Sequence, residues 1–146
     1  MPLETAKTVF AAELPLPAEA GSANALLEVH TLEDYPIRAL VFHTLGKDLQ
    51  AVGEVIAECI DRLVEDDTPH TMLFSQGRSF LLPRQPLFEP PFAAVPGFPE
   101  VSGEVIITSE ADFPTVTADT VFRFWRDKIS VGEERFDEIV KACLRL

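Results

Sequence analysis

Basic residues are scarce in this sequence: 12 Lys and Arg stand against 24 Asp and Glu, a formal net charge of −12. A field of that sign repels nucleic acid backbones and anionic membranes, so neither partner is expected. A nucleotide or phosphate would need basic groups gathered locally. Long apolar runs are also missing. None approaches the ~18–20 residues of a membrane span. The opening Met1-Pro2-Leu3-Glu4 has no basic stretch followed by an apolar one, which gives no sign of secretion, and a cytoplasmic location is expected.

Cysteine is limited to Cys59 and Cys143. Each falls on the apolar face of an expected helix, where buried free thiols in a reducing compartment are the ordinary reading. A disulfide between them would have no secretory signal behind it. There is no C-x-x-C, so a structural zinc site is not expected. The seven glycines are dispersed and form neither a phosphate loop nor a G-x-S-x-G elbow. The three histidines, His30, His43 and His70, fall on three different expected elements. No two have the i, i+2 or i, i+4 spacing that sets ligands side by side. Neither catalytic residues, metal ligands nor a cofactor are therefore expected.

What the chain does have is the material for a core. Of its 146 residues 47% are hydrophobic, and 11 are Phe, enough for one domain spanning 1–146. Strands are expected at 8–14, 26–30 and 37–43, the last with Ile37, Ala39 and Val41 on one face. From Lys47 to Val64, Leu49, Val52, Val55, Ile56, Cys59, Ile60 and Leu63 recur at helical spacing. The runs 71–74 and 79–82, split by Gln76-Gly77-Arg78, read as a hairpin. Pro83 to Pro99 mixes proline with phenylalanine, a loop packed on the domain, and 103–108 reads as a further strand. Two helices close the chain, one from about Thr117 and one opening at Ser130 with Glu133 three residues on. Its stripe is Phe136, Ile139, Val140, Cys143 and Leu144. The expectation is an α+β fold, an antiparallel sheet with helices on one face.

Few polar residues stand out. Arg78 and Arg84 bracket a strand and could gather a phosphate, although charges that keep a hairpin edge soluble are the ordinary explanation. Glu104 follows Ser102-Gly103 at the start of an apolar strand. A carboxylate beside a close backbone approach can accept hydrogen bonds from sugar hydroxyls, and an exposed strand-start glutamate is the alternative.

Several segments, in order, resemble the C-terminal half of the GDP-L-galactose/GDP-D-glucose phosphorylase family of the histidine-triad (HIT) superfamily. They are Leu14-Pro15-Leu16-Pro17-Ala18-Glu19, Asp34-Tyr35-Pro36-Ile37-Arg38-Ala39-Leu40-Val41-Phe42, and the hairpin from Thr68 to Phe74 and Arg78 to Arg84. Glu100-Val101-Ser102-Gly103-Glu104-Val105 and Ile129-Ser130-Val131-Gly132-Glu133-Glu134-Arg135-Phe136 complete the series. The resemblance implies a HIT-like antiparallel sheet with a long helix packed on one face and two C-terminal helices. It also implies relatives that transfer a nucleotidyl group from a nucleotide sugar to phosphate through a histidine in a His-x-His-x-Gln strand. That strand would lie just before the proline-punctuated segment, and Glu4-Thr5-Ala6-Lys7-Thr8 stands there instead. Glu104 occupies the place of the family's histidine in its Ser-Gly-His segment.

The expectation is a domain related to nucleotide-sugar phosphorylases that is non-catalytic or partner-dependent. It would act through a protein partner or homodimer, or through a remnant pocket for a nucleotide sugar or hexose phosphate. The pocket would use Arg38, Arg84, Ser102, Gly103 and Glu104. The alternative is a subunit of a split GDP-hexose phosphorylase whose histidine comes from another chain.

Overall fold

Side chains alternate across a strand, so the apolar pattern of each strand decides what covers its two faces. The computed structural model describes residues 6–14, 25–32, 35–44, 50–75, 77–86, 107 and 110–144. Five strands form one antiparallel sheet: β1 (Ala6–Leu14), β2 (Ala25–Leu32), β3 (Leu40–Thr44), β4 (His70–Ser75) and β5 (Arg78–Pro83). Their spatial order is β1-β2-β3-β5-β4. The strand expected at 103–108, Ile107 apart, and the aromatic loop beyond Pro86 lie outside the described residues.

Helix α1 (Gln50–Glu65) connects β3 to the edge strand β4. Its stripe Val52, Ile56, Cys59 and Leu63 is buried, as the spacing predicts, each large side chain contributing roughly 1.5–3 kcal/mol. The helix ends in a reciprocal pair of backbone hydrogen bonds: Thr68 N–H donates to Leu63 O at 2.7 Å and Asp67 N–H to Val64 O at 3.1 Å. This closure needs a left-handed residue, and Asp67 supplies it at φ 50°. The β4–β5 hairpin turns at Gly77, with φ 79°.

After a 3₁₀ turn at Phe113–Thr115 comes helix α2 (Ala118–Phe124), capped by Thr117, which accepts from Thr120 N–H while Thr120 Oγ1 accepts from Thr117 N–H. It widens into a π-helical turn over Trp125–Ile129. Helix α3 (Glu133–Leu144) then buries Phe136, Ile139, Val140, Cys143 and Leu144. Ser130 does not cap α3, as the capping-box spacing suggests. It is fully buried and pairs with Arg84 in an antiparallel bridge, while its Oγ accepts from Arg38 N–H at 3.0 Å.

The two faces of the sheet differ. On the inner face Leu27, Val29, Leu40, Phe42 and Leu81 meet α1 and α3. On the outer face Leu32, Val41, Phe80 and Leu82 pack with Ile37, Ala39 and Ile129, and with the half-buried Tyr35, Phe124 and Trp125. The α+β architecture is as expected, with the long helix on one face. The π-helical turn, which no periodicity announces, contributes to the other. Among the described residues no helix is long and apolar enough to cross a membrane.

Candidate functional site

The outer face is apolar only toward one end. Because Leu32, Val41, Phe80 and Leu82 point outward, so do Glu28 and His30 on β2, His43 on β3 and Arg78 on β5. The strand register sets Glu28 opposite His43, His43 opposite Arg78, and Arg78 opposite Ser75. A polar rank thus crosses four strands at the end of the sheet remote from Leu32 and Leu82. His30 sits one step inward, opposite Val41.

Within this rank three side chains converge. His30 Nε2 is 3.3 Å from Glu28 Oε2, and His43 Nδ1 is 4.0 Å from the same oxygen. One ligand atom from each of the three lies within 4.8 Å of the others. The imidazole centroids are 6.4 Å apart, tilted by 45°. All three side chains are half-buried, which holds their torsions while leaving them open to solvent. Arg78 beside them has its Nε buried with no hydrogen-bond acceptor among the described residues. A buried donor without an acceptor costs about 1–3 kcal/mol, and more when charged.

Two of the three histidines come together although no spacing in the sequence sets them side by side. His30 and His43 are 13 positions apart but meet through the β2–β3 register, which sequence spacing does not encode. The only hint was that both stand on strands whose alternate positions are apolar. His70 is not part of the cluster. Its Nδ1 donates to Thr68 O at 3.1 Å, which fixes the protonated nitrogen because a carbonyl can only accept.

Of the arginines singled out in the sequence, Arg38 and Arg84 contact neighbouring backbone. Arg38 donates through Nη1 to Val131 O at 3.1 Å and lies 3.9 Å from the Glu133 carboxylate. Together with the Ser130 contact, this clamps the segment leading into α3. Arg84 donates through Nη2 to His70 O at 3.4 Å. Its neighbour Gln85 donates to Asp127 O at 3.1 Å and Ser130 O at 2.7 Å. Arg78 and Arg84 stand at opposite ends of β5, about 20 Å apart along the strand. With Arg84 turned to the His70 carbonyl, the two do not gather one phosphate. Ser102, Gly103 and Glu104 lie outside the described residues.

Residues 11–146 match the family model described as GDPGP1-like, C-terminal domain. The chain belongs to that family. No curated protein and no solved structure matches it. The match covers the whole of β2 to β5 and all three helices, and therefore the polar rank and the Arg38 clamp alike. Within the GDPGP1-like C-terminal domain, then, the sheet that carries the rank is part of the family's frame rather than an appended element.

Elsewhere, an open cleft of about 350 Å³ is lined by Thr120, Arg123, Phe124, Asp127 and Lys128. It shares no residue with the rank. Cys59 and Cys143 are free and buried at the α1–α3 contact, where Cys59 S–H reaches Cys143 O at 3.7 Å and Cys143 S–H reaches Cys59 O at 3.8 Å. Hydrogen bonding with Cys143, with burial added, holds the Cys59 thiol far above its usual range. An inert Cys59 thiol is the consequence.

Proposed function

We propose that the chain is a non-catalytic or partner-dependent domain related to nucleotide-sugar phosphorylases, and that it binds the phosphate-bearing part of a nucleotide sugar or hexose phosphate. The observation that carries this reading is Arg78, whose buried Nε has no acceptor among the described residues and which stands in the rank with His43 and Glu28. Its guanidinium fork suits phosphate oxygens, while Glu28 can accept from a sugar hydroxyl. Family membership over residues 11–146 supports the nucleotide-sugar class. Arg38, Arg84, Ser102, Gly103 and Glu104 remain proposed contributors, Arg38 and Arg84 by holding the segments around them.

Calorimetric titration of the chain with GDP, GDP-glucose and a hexose 1-phosphate tests the reading. Saturable binding is expected, and no heat at millimolar ligand would end it.

Protein association is the other half of the proposal, with a homodimer or a separate chain as partner. Phe74 is 72% exposed on the edge strand β4, where an added surface would cover it. A cytoplasmic setting suits the free, buried thiols.

A second reading, a subunit of a split GDP-hexose phosphorylase, is favoured by one feature: no His-x-His-x-Gln occurs among these 146 residues. A covalent nucleotidyl intermediate would then form on an imidazole from another chain. Phosphorolysis of GDP-hexose should appear when a chain carrying that motif is mixed with this one, and should be absent from this chain alone.

A further inference from the structure

Glu28, His30 and His43 offer one carboxylate and two imidazoles from adjacent strands. We propose that they form a site for a single divalent transition-metal ion of the zinc class. The proposal shares Glu28 and His43 with the nucleotide-sugar reading but does not rest on it, since it uses neither Arg78 nor a sugar or phosphate ligand.

The geometry is close to what such an ion needs. Zn²⁺ binds imidazole nitrogen and carboxylate oxygen at about 2.0–2.2 Å, which puts neighbouring ligand atoms of a tetrahedral site roughly 3.4 Å apart. The His30 Nε2 to Glu28 Oε2 separation, 3.3 Å, already meets that. His43 Nδ1 stands 4.0 Å from the same oxygen, and no pair exceeds 4.8 Å. Closing the remainder takes about an ångström of side-chain rotation. Relative exposures of 14% for His30, 32% for Glu28 and 29% for His43 leave each side chain partly open to solvent.

The backbone beneath is fixed. Glu28 and His30 are alternate residues on β2, which is paired on both sides, and Glu28 is directly opposite His43 on β3. Three ligands therefore rise from one rigid patch of sheet rather than from loops. Their chemistry selects the ion class. Two nitrogen donors disfavour Mg²⁺ and Ca²⁺, which take oxygen, and the lack of a thiolate disfavours ions that seek sulfur. A single carboxylate with two neutral imidazoles leaves the ion with net positive charge, tolerable in a chain of net charge −12. Three protein ligands leave a fourth position open, the arrangement of reactive rather than purely structural zinc sites.

The test is titration of the full chain with Zn²⁺ in competition with a chromophoric chelator, and with Co²⁺ read by its visible ligand-field spectrum. One equivalent of Zn²⁺ and a four-coordinate Co²⁺ spectrum are expected. His43→Asn and Glu28→Gln should each weaken binding by at least about 100-fold, the upper end of what losing even an outer partner costs. His70→Asn, outside the cluster, should change nothing. Circular dichroism checks that each variant is folded. The wild-type chain alone can sink the proposal. No stoichiometric ion, or a Co²⁺ spectrum like that of the hydrated ion, overturns it, as does binding that persists unchanged in a folded Glu28→Gln variant.

Discussion

Glu28 and His43 face each other across the β2–β3 pair, with His43 Nδ1 4.0 Å from Glu28 Oε2. The contact places a carboxylate between two imidazoles, because His30 approaches the same oxygen from two residues along β2. It also aligns that carboxylate with Arg78 across one more strand. A guanidinium and a trio of potential metal ligands thus share one end of an otherwise apolar sheet face.

The sheet should tolerate losses on its periphery far better than at its centre. Phe42 is fully buried on the inner face, and Phe42→Ala should cost about 3–5 kcal/mol. Phe74, 72% exposed, should cost under about 0.5 kcal/mol when truncated. Urea unfolding of the two variants compares them directly.

The buried Ser130 hydroxyl holds the junction before α3. In Ser130→Ala the Arg38 N–H loses its acceptor, a cost of about 1–3 kcal/mol. Ser130→Thr, which keeps the oxygen, should recover part of it. Equal melting temperatures for Ala and wild type would show that the contact does not hold that junction.

At the end of α1 the left-handed conformation falls on an aspartate. Asp67→Gly relieves the Cβ restriction and should stabilise the protein by up to about 1 kcal/mol, whereas Asp67→Val should destabilise it by at least as much. Chemical denaturation gives the sign of each.

Alkylation of the cysteines should be slow in the native protein. Both thiols are buried, and Cys59 is held protonated by its hydrogen bonding with Cys143 and by burial. The sign follows from the raised value: raising pH through the ordinary thiol range should barely increase the labelling of Cys59 until the protein unfolds. Mass spectrometry after timed alkylation, with and without urea, reads this.

The legible parts of the molecule are those whose pattern is local. The stripes of α1 and α3, the Thr117 start of α2 and the Gly77 hairpin all follow from spacing or from one residue's backbone preference. So does the shared face of Ile37, Ala39 and Val41. The histidine cluster is different in kind, because His30 and His43 meet only once the β2–β3 register is fixed. Ser130 misled for a similar reason. Its capping-box spacing to Glu133 is local, but the hydroxyl answers to Arg38, 92 positions away. Nothing near Arg78 in sequence tells that its Nε is buried, so an edge charge is all the sequence suggests there.

In the proposed function the polar end of the outer sheet face binds a phosphate-bearing ligand through Arg78. The most direct test of this claim is the affinity of GDP-glucose for the wild-type chain and for folded Arg78→Gln, measured side by side by calorimetry. Loss of a charged hydrogen bond of about 1.5–3 kcal/mol predicts at least about tenfold weaker binding in the variant. Equal affinity in the two proteins, or no binding to the wild type, would contradict the claim.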